Sequence, residues 1–243
     1  MRDHEKRPPP GLFQWNNFLN TPPDEAGFET AGFVVLPVPF DGTTSYKSGA
    51  RHGPSAIIAA SSHLEDYDVE LNIDISEAGI HTAPELVPDL SSPEAVVRQV
   101  ERLVDWVATS DKTPVLLGGD HMVTIGAVWA MLQQFPKISV LYLDAHGDLR
   151  DEYMGTRWGH ASVARRVHEL CPLVEVGVRS LSTEEMELIR DAAGAIASSQ
   201  HIPTGDIDLV VQGDGDGHTG HGTGQVPIVG DDTGDGALLA GGQ

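Results

Sequence analysis

The sequence predicts an α/β domain: a parallel sheet with helices on both faces. Two observations carry that prediction. Short apolar runs bounded by turn residues repeat along the chain, with stretches of helical spacing between them. Two of those runs end in chemistry-bearing residues, GGDH at Gly118–His121 and DAHGD at Asp144–Asp148. In open parallel sheets ligands sit beyond the carboxyl ends of the strands, so both groups are expected to build one site.

The elements follow in order. Residues 1–30 are polar and proline-rich and are expected to form an arm on the surface or on a neighbouring subunit. GFVVLPVPF (32–40) is a continuous apolar run and so a buried strand. The Gly- and Ser-rich DGTTSYKSGARHG is a loop, and Pro54 suits the first turn of a helix carrying Ile57, Ile58 and Leu64. ISEAGIHTA (75–83) is a weaker strand or loop. Ser92 can cap a helix with Val96, Val97, Val100, Leu103, Val104 and Val107 on one face. TPVLLGGDH (113–121) is a strand, MVTIGAVWAMLQQF a helix, ISVLYLDAH a strand, HASVARRVHEL a helix and LVEVGVRS (173–180) a strand. STEEMELIRDAAG begins with a capping-box pair, Ser182 and Glu185, and should stop at Gly194. AIASS offers one more strand.

Beyond about residue 200 the character changes. GDGDGHTGHGTGQVPIVGDDTGDGALLAGGQ is roughly one-third glycine with scattered aspartates. Such a composition buries too little to offset backbone entropy, so 201–243 is expected to lack order, and the tail after about residue 212 to be protease-sensitive. Asp214 and Asp216 fit no calcium loop, because no glutamate follows at the required offset. The chain thus divides into an arm (1–30), an α/β domain (31–200) and an atypical tail (201–243).

The 243 residues are 40% hydrophobic, enough for one large α/β core, and carry a formal net charge of −21. That charge argues against nucleic acid or an anionic membrane as partner and suits a cationic ligand. Cys171 is the single cysteine, so no intrachain disulfide can form. MRDHEKRPPP has no apolar core of a signal peptide, and no run reaches membrane-spanning length, so a cytoplasmic protein is expected.

Side chains two apart in a strand share a face, so Asp144, His146 and Asp148 can face one cavity if the backbone stays extended. Carboxylates with imidazole, and no thiolate, suit a divalent ion such as Mn²⁺ better than a thiolate zinc site.

These residues carry a resemblance. LLGGDHMVT and LYLDAHGDLRDEYMGTRWGHAS resemble the GGDHS-type and DAHxD motifs of the ureohydrolases, the arginase and agmatinase family. PVPFDGTTSYKSGARHGPSAIIAASSHLEDYD and EVGVRSLSTEE are similar to neighbouring segments of agmatinases, and the likeness spans roughly residues 25–200. It implies a three-layer α/β/α sandwich of the arginase and deacetylase type and a binuclear manganese site with His121, Asp144, His146 and Asp148 among the ligands. It implies a cationic guanidino substrate, most simply agmatine hydrolysed to putrescine and urea, and a homo-oligomer when complete. Asp148 would orient the attacking water, and His160 would protonate the departing amine. Gly159 departs from the family, where serine is usual. A zinc deacetylase on a related sandwich fits GGDH and DAHxD less well.

The family's later S-x-D-x-D-x-x-D-P pattern is degenerate here. In TGDIDLVVQ, Asp206 and Asp208 match the D-x-D, but Thr204, Val211 and Gln212 replace the serine, the third aspartate and the proline. No glutamate follows Glu187, although the family has one that contacts the guanidinium. The C-terminal strands are therefore expected to be missing or degenerate, as a shifted reading frame near residue 200 would produce. The alternatives are an inactive ureohydrolase-like subunit and a hydrolase of another guanidino compound.

Overall fold

The computed structural model describes residues 14–192 and three strand segments, 196–199, 228–231 and 236–241. In chain order the elements are β1 (Phe33–Val38), α1 (Gly53–Ser61), β2 (Tyr67–Asp68), β3 (Ile73–Asp74), β4 (Ile80–Thr82), α2 (Pro93–Ala108), β5 (Thr113–Gly118), α3 (Val123–Gln134), β6 (Ser139–Asp144), α4 (Val163–His168), β7 (Leu173–Val176), α5 (Thr183–Asp191), β8 (Ile196–Ser199), β9 (Ile228–Asp231) and β10 (Gly236–Gly241). Eight strands form one sheet in the order β4-β1-β5-β9-β10-β6-β7-β8, while β2 and β3 make a separate hairpin. All pairings in the large sheet are parallel except those of β10 with β9 and β6.

Continuous apolar strands become strands covered on both faces. Val34, Val35 and Leu36 of β1 are all buried, as are Leu116 and Leu117 of β5 and Val140, Leu141 and Tyr142 of β6. Because successive side chains point to opposite faces, burial of consecutive residues requires a layer on each side of the sheet. The α2 helix forms where its spacing predicts: Val96, Val97, Val100, Val104 and Val107 are fully buried, and Ser92 Oγ accepts the Ala95 N–H. That cap is worth about 1 kcal/mol. Close packing of α2 on α3 depends on Gly126, where a Cβ would run into the Val97 carbonyl oxygen.

The predicted capping box opens α5: Ser182 Oγ accepts the Glu185 N–H and Glu185 Oε2 accepts the Ser182 N–H. The helix closes at Asp191, three residues before Gly194, which lies outside the described residues. Part of the expected arm lies outside them too (1–13). Residues 14–30 pack on the body: Phe18 N–H donates to Thr82 Oγ1, Leu19 N–H to Ser61 Oγ, and Phe28 stacks on Trp106 at 4.7 Å.

Two stretches of the glycine-rich segment are strands, β9 and β10, where the composition predicts no regular structure. They are short and include Gly230, Gly236 and Gly241. Their place in the sheet gives the reason. Without β9 and β10 the facing edges of β5 and β6 would carry unpaired backbone groups, and Ile228-Val229 and Ala237–Ala240 are the segment's apolar patches. Backbone pairing between two covered strands offsets a weak intrinsic propensity. The rest of 201–243, with Asp206, Asp208, Asp214 and Asp216, lies outside the described residues.

Candidate metal centre

β5 and β6 run parallel in the same sheet, so both predicted motifs emerge from one sheet edge. Beyond β5 the chain turns tightly at Gly119, where a Cβ would collide with the Phe40 carbonyl oxygen and the Ala50 backbone. This close approach sets His121 beside the end of β6, where Asp144 is the last strand residue. The condition for a shared strand face is not met through Asp148: β6 stops at Asp144, short of the strand end expected at His146, and Asp148 takes a left-handed backbone with φ +46°. Asp148 comes to the site through a turn, not through strand alternation. The turn is held from α5, since Glu185 Oε1 accepts the Leu149 N–H at 3.0 Å.

His121, Asp144 and Asp148 are all buried, with one potential ligand atom each, and those atoms lie within 4.8 Å of one another. His121 Nδ1 is 3.0 Å from Asp148 Oδ2 and 3.4 Å from Asp144 Oδ2. Tyr142 stacks on the His121 ring and donates its hydroxyl proton to Asp148 Oδ2 at 2.7 Å. Asp144 Oδ1 accepts the His146 N–H at 2.7 Å, whereas its buried Oδ2 accepts no hydrogen bond among the described residues. Burial pushes the Asp144 carboxyl up to about 6; His121 pulls it back and the Asp148 charge pushes it further. Two carboxylates and an imidazole, crowded out of water with one oxygen unsatisfied among the described residues, form a donor set that a divalent cation would complete.

His146 stands apart from the three. Its Nδ1 is 3.4 Å from Asp144 Oδ1 and its side chain is 47% exposed on the cavity wall. The cavity has a volume of about 540 Å³ and is walled by the metal-type residues together with Lys47, Arg150, Tyr153 and His160. His160 is tied to the loop after β1: its N–H donates to Thr43 Oγ1 at 3.1 Å and its Nδ1 lies 2.9 Å from the Thr43 carbonyl oxygen. Asp120 Oδ2 in turn accepts from Thr43 N–H at 2.8 Å and Thr43 Oγ1 at 2.6 Å. Burial raises the Asp120 carboxyl, and the Thr43 donors oppose the rise.

Several of these residues escape a reading of the sequence. Tyr142 is two before Asp144, so strand periodicity could have put it on the same face. Nothing local links Thr43 to His160, 117 positions away. Glu175 is fully buried in β7, paired with Tyr142 of β6, and neither carboxylate oxygen has a hydrogen-bond partner among the described residues. Asp151, an acid just past the metal motif, is bound by Arg157 at 2.8 Å and Arg166 at 2.7 Å. These guanidinium hydrogen bonds pull it down to about 2.

Comparison with known proteins identifies the family. The arginase family model matches residues 31–214. An agmatinase of Pyrococcus horikoshii is 42% identical over 158 residues, covering 64% of this chain and 54% of the relative. An N(1)-aminopropylagmatine ureohydrolase of Synechocystis is 37% identical over 171 residues, covering 68% and 56%. The crystal structure of an agmatine ureohydrolase of Thermoplasma volcanium superposes with a TM-score of 0.66 at 32% identity, covering 77% of this chain and 62% of that one. The chain thus spans a little over half the length of the curated relatives it matches. With the family model covering most of the chain and the two strand-end motifs meeting at one buried cluster, this chain belongs to the arginase family.

Proposed function

We propose that the cavity is the active site of a manganese-dependent ureohydrolase that cleaves the guanidinium group of agmatine to putrescine and urea. The observation that carries the reading is the buried His121–Asp144–Asp148 group at the carboxyl ends of β5 and β6. His121, Asp144 and Asp148 would hold the ion, with His146 on its open side. A divalent ion there supplies Lewis acidity and lowers the pKa of water, which a poor electrophile such as guanidinium needs at neutral pH.

The chain's own residues complete the chemistry. Tyr142 fixes the Asp148 carboxylate by donating to Oδ2, so Asp148 can orient a water against the substrate carbon. His160, on the cavity wall with Nδ1 committed to Thr43, takes up at Nε2 a proton released by the attacking water and delivers it to the departing amine. N(1)-Aminopropylagmatine, named for several relatives, shares the reacting group and differs only at the far amine.

A second reading is an inactive metal-binding subunit of the same family. It is favoured by Val211, which stands where the family pattern has a third aspartate after Asp206 and Asp208. The deciding experiment measures urea release from agmatine, N(1)-aminopropylagmatine and 4-guanidinobutyrate with added Mn²⁺, alongside metal content. Urea from either amine supports the ureohydrolase and ranks the substrates. Bound manganese with no urea from any of them supports the inactive subunit.

A further inference from the structure

We propose that Thr43 and Asp120 are positioning residues that clamp the His160 ring and fix its tautomer, so that Nε2 is the nitrogen that exchanges protons with a ligand in the cavity. The donor inventory leaves one assignment. The His160 backbone N–H can only donate, so Thr43 Oγ1 accepts there. The Thr43 hydroxyl proton must then go to Asp120 Oδ2, 2.6 Å away. Asp120 Oδ2 also accepts the Thr43 N–H, and Oδ1 accepts the Met122 N–H at 3.2 Å. Asp120 is 1% exposed, so these bonds form out of competing water.

The second contact sets the tautomer. The Thr43 carbonyl oxygen can only accept, so His160 Nδ1 carries the proton it donates across 2.9 Å. In the neutral ring that leaves Nε2 as the basic nitrogen. Tyr153 meets the ring edge-on at 5.7 Å and restricts its rotation further. Asp120 therefore reaches His160 through Thr43, from the residue just before the candidate ligand His121. One short GGDH segment supplies both a metal-type side chain and the anchor of the proton-moving group. The clamp depends on the proposed function only for what His160 does, not for how it is held.

The test uses the full chain labelled with ¹⁵N-histidine, without added metal and again with diamagnetic Mg²⁺. Long-range ¹H–¹⁵N correlation reads the tautomer directly, and His160→Gln assigns the signal. The expected result is an Nδ1–H tautomer for neutral His160. Thr43→Val, close in shape but without the hydroxyl, should lose that single tautomer, and Thr43→Ser should restore it. An Nε2–H tautomer in the unaltered chain overturns the proposal, whatever the variants do. So does a Thr43→Val spectrum identical to the parent. If no guanidino substrate yields urea while the tautomer behaves as expected, the functional reading falls and the clamp stands.

Discussion

At Asp144, ligation and folding pull in opposite directions. Its Oδ2 is buried without a hydrogen bond among the described residues, and burial holds the carboxyl at about 6, so ionising it at neutral pH costs the metal-free chain stability. Asp144→Asn removes that cost along with the charge a cation would need. The expected outcome is a metal-free protein at least as stable as the parent and no bound manganese by elemental analysis. Unchanged manganese content would remove Asp144 from the ligand set.

Glu175 gives a stability prediction from the same physics. Its carboxyl is pushed up to about 8 by burial, with Asp148, Asp144 and Glu185 adding to the rise. Below the ordinary value of 4.5 both folded and unfolded states hold the proton. Between 4.5 and about 8 the unfolded state loses it and the folded state keeps it, so stability falls as pH rises through that window. Glu175→Gln should flatten this decline in denaturant midpoints measured at pH 5 and pH 8 without added metal, both points being choices inside or at the edge of that window. A decline as steep as the parent's would mean that Glu175 is ionised in the folded chain.

At the scale of elements, α5 and the loop after β6 are joined by one side chain. Both Glu185 oxygens are engaged, Oε2 by Ser182 N–H at 2.7 Å and Oε1 by Leu149 N–H at 3.0 Å. Leu149 adjoins Asp148, whose left-handed backbone has to be held in place from outside. A glutamine at position 185 can satisfy one of these donors and turns an N–H₂ toward the other. Glu185→Gln should cost about 1–3 kcal/mol and weaken manganese binding roughly 10–100-fold, the scale of a lost orienting contact. Denaturant melts and a manganese titration measure the two effects. Loss of stability with unchanged metal affinity would show that the turn holds Asp148 without Glu185.

At the scale of the whole molecule, a cation that binds only the folded chain must stabilise it. At a hundredfold excess over Kd the gain is about 2.7 kcal/mol, or a rise in Tm of roughly 5–11 °C for a domain of this size. Manganese should therefore raise the melting temperature and a chelator should reverse the rise. Turnover is a separate matter. Two nearby cations repel, and several carboxylates are needed to offset that. Among the described residues one buried three-ligand group is present. Urea release from agmatine therefore decides between the two readings: a rate near the median enzyme value of about 10 s⁻¹ is the outcome expected of the ureohydrolase, and none is expected of the inactive subunit. A rate at or above that value would bring further acids, Asp206 and Asp208 first, into the site.

Periodicity, capping and motif spacing were enough to read most of this protein from the chain alone. The valine stripe of α2, the Ser182–Glu185 box of α5, the buried strands and the meeting of GGDH with DAHGD at one sheet edge are all local or near-local patterns. Local patterns survive folding because burial rewards the same face that the sequence encodes. What needed the tertiary structure was non-local. The route of Asp148 depends on a turn held from α5, and the setting of His160 on a threonine 117 positions away. The strands β9 and β10 are the clearest case: a glycine-rich segment with little intrinsic preference pairs because two parallel strands, distant in sequence, leave a space between them. Only the assembled sheet creates those unpaired backbone groups, and so only the assembled sheet decides what fills them.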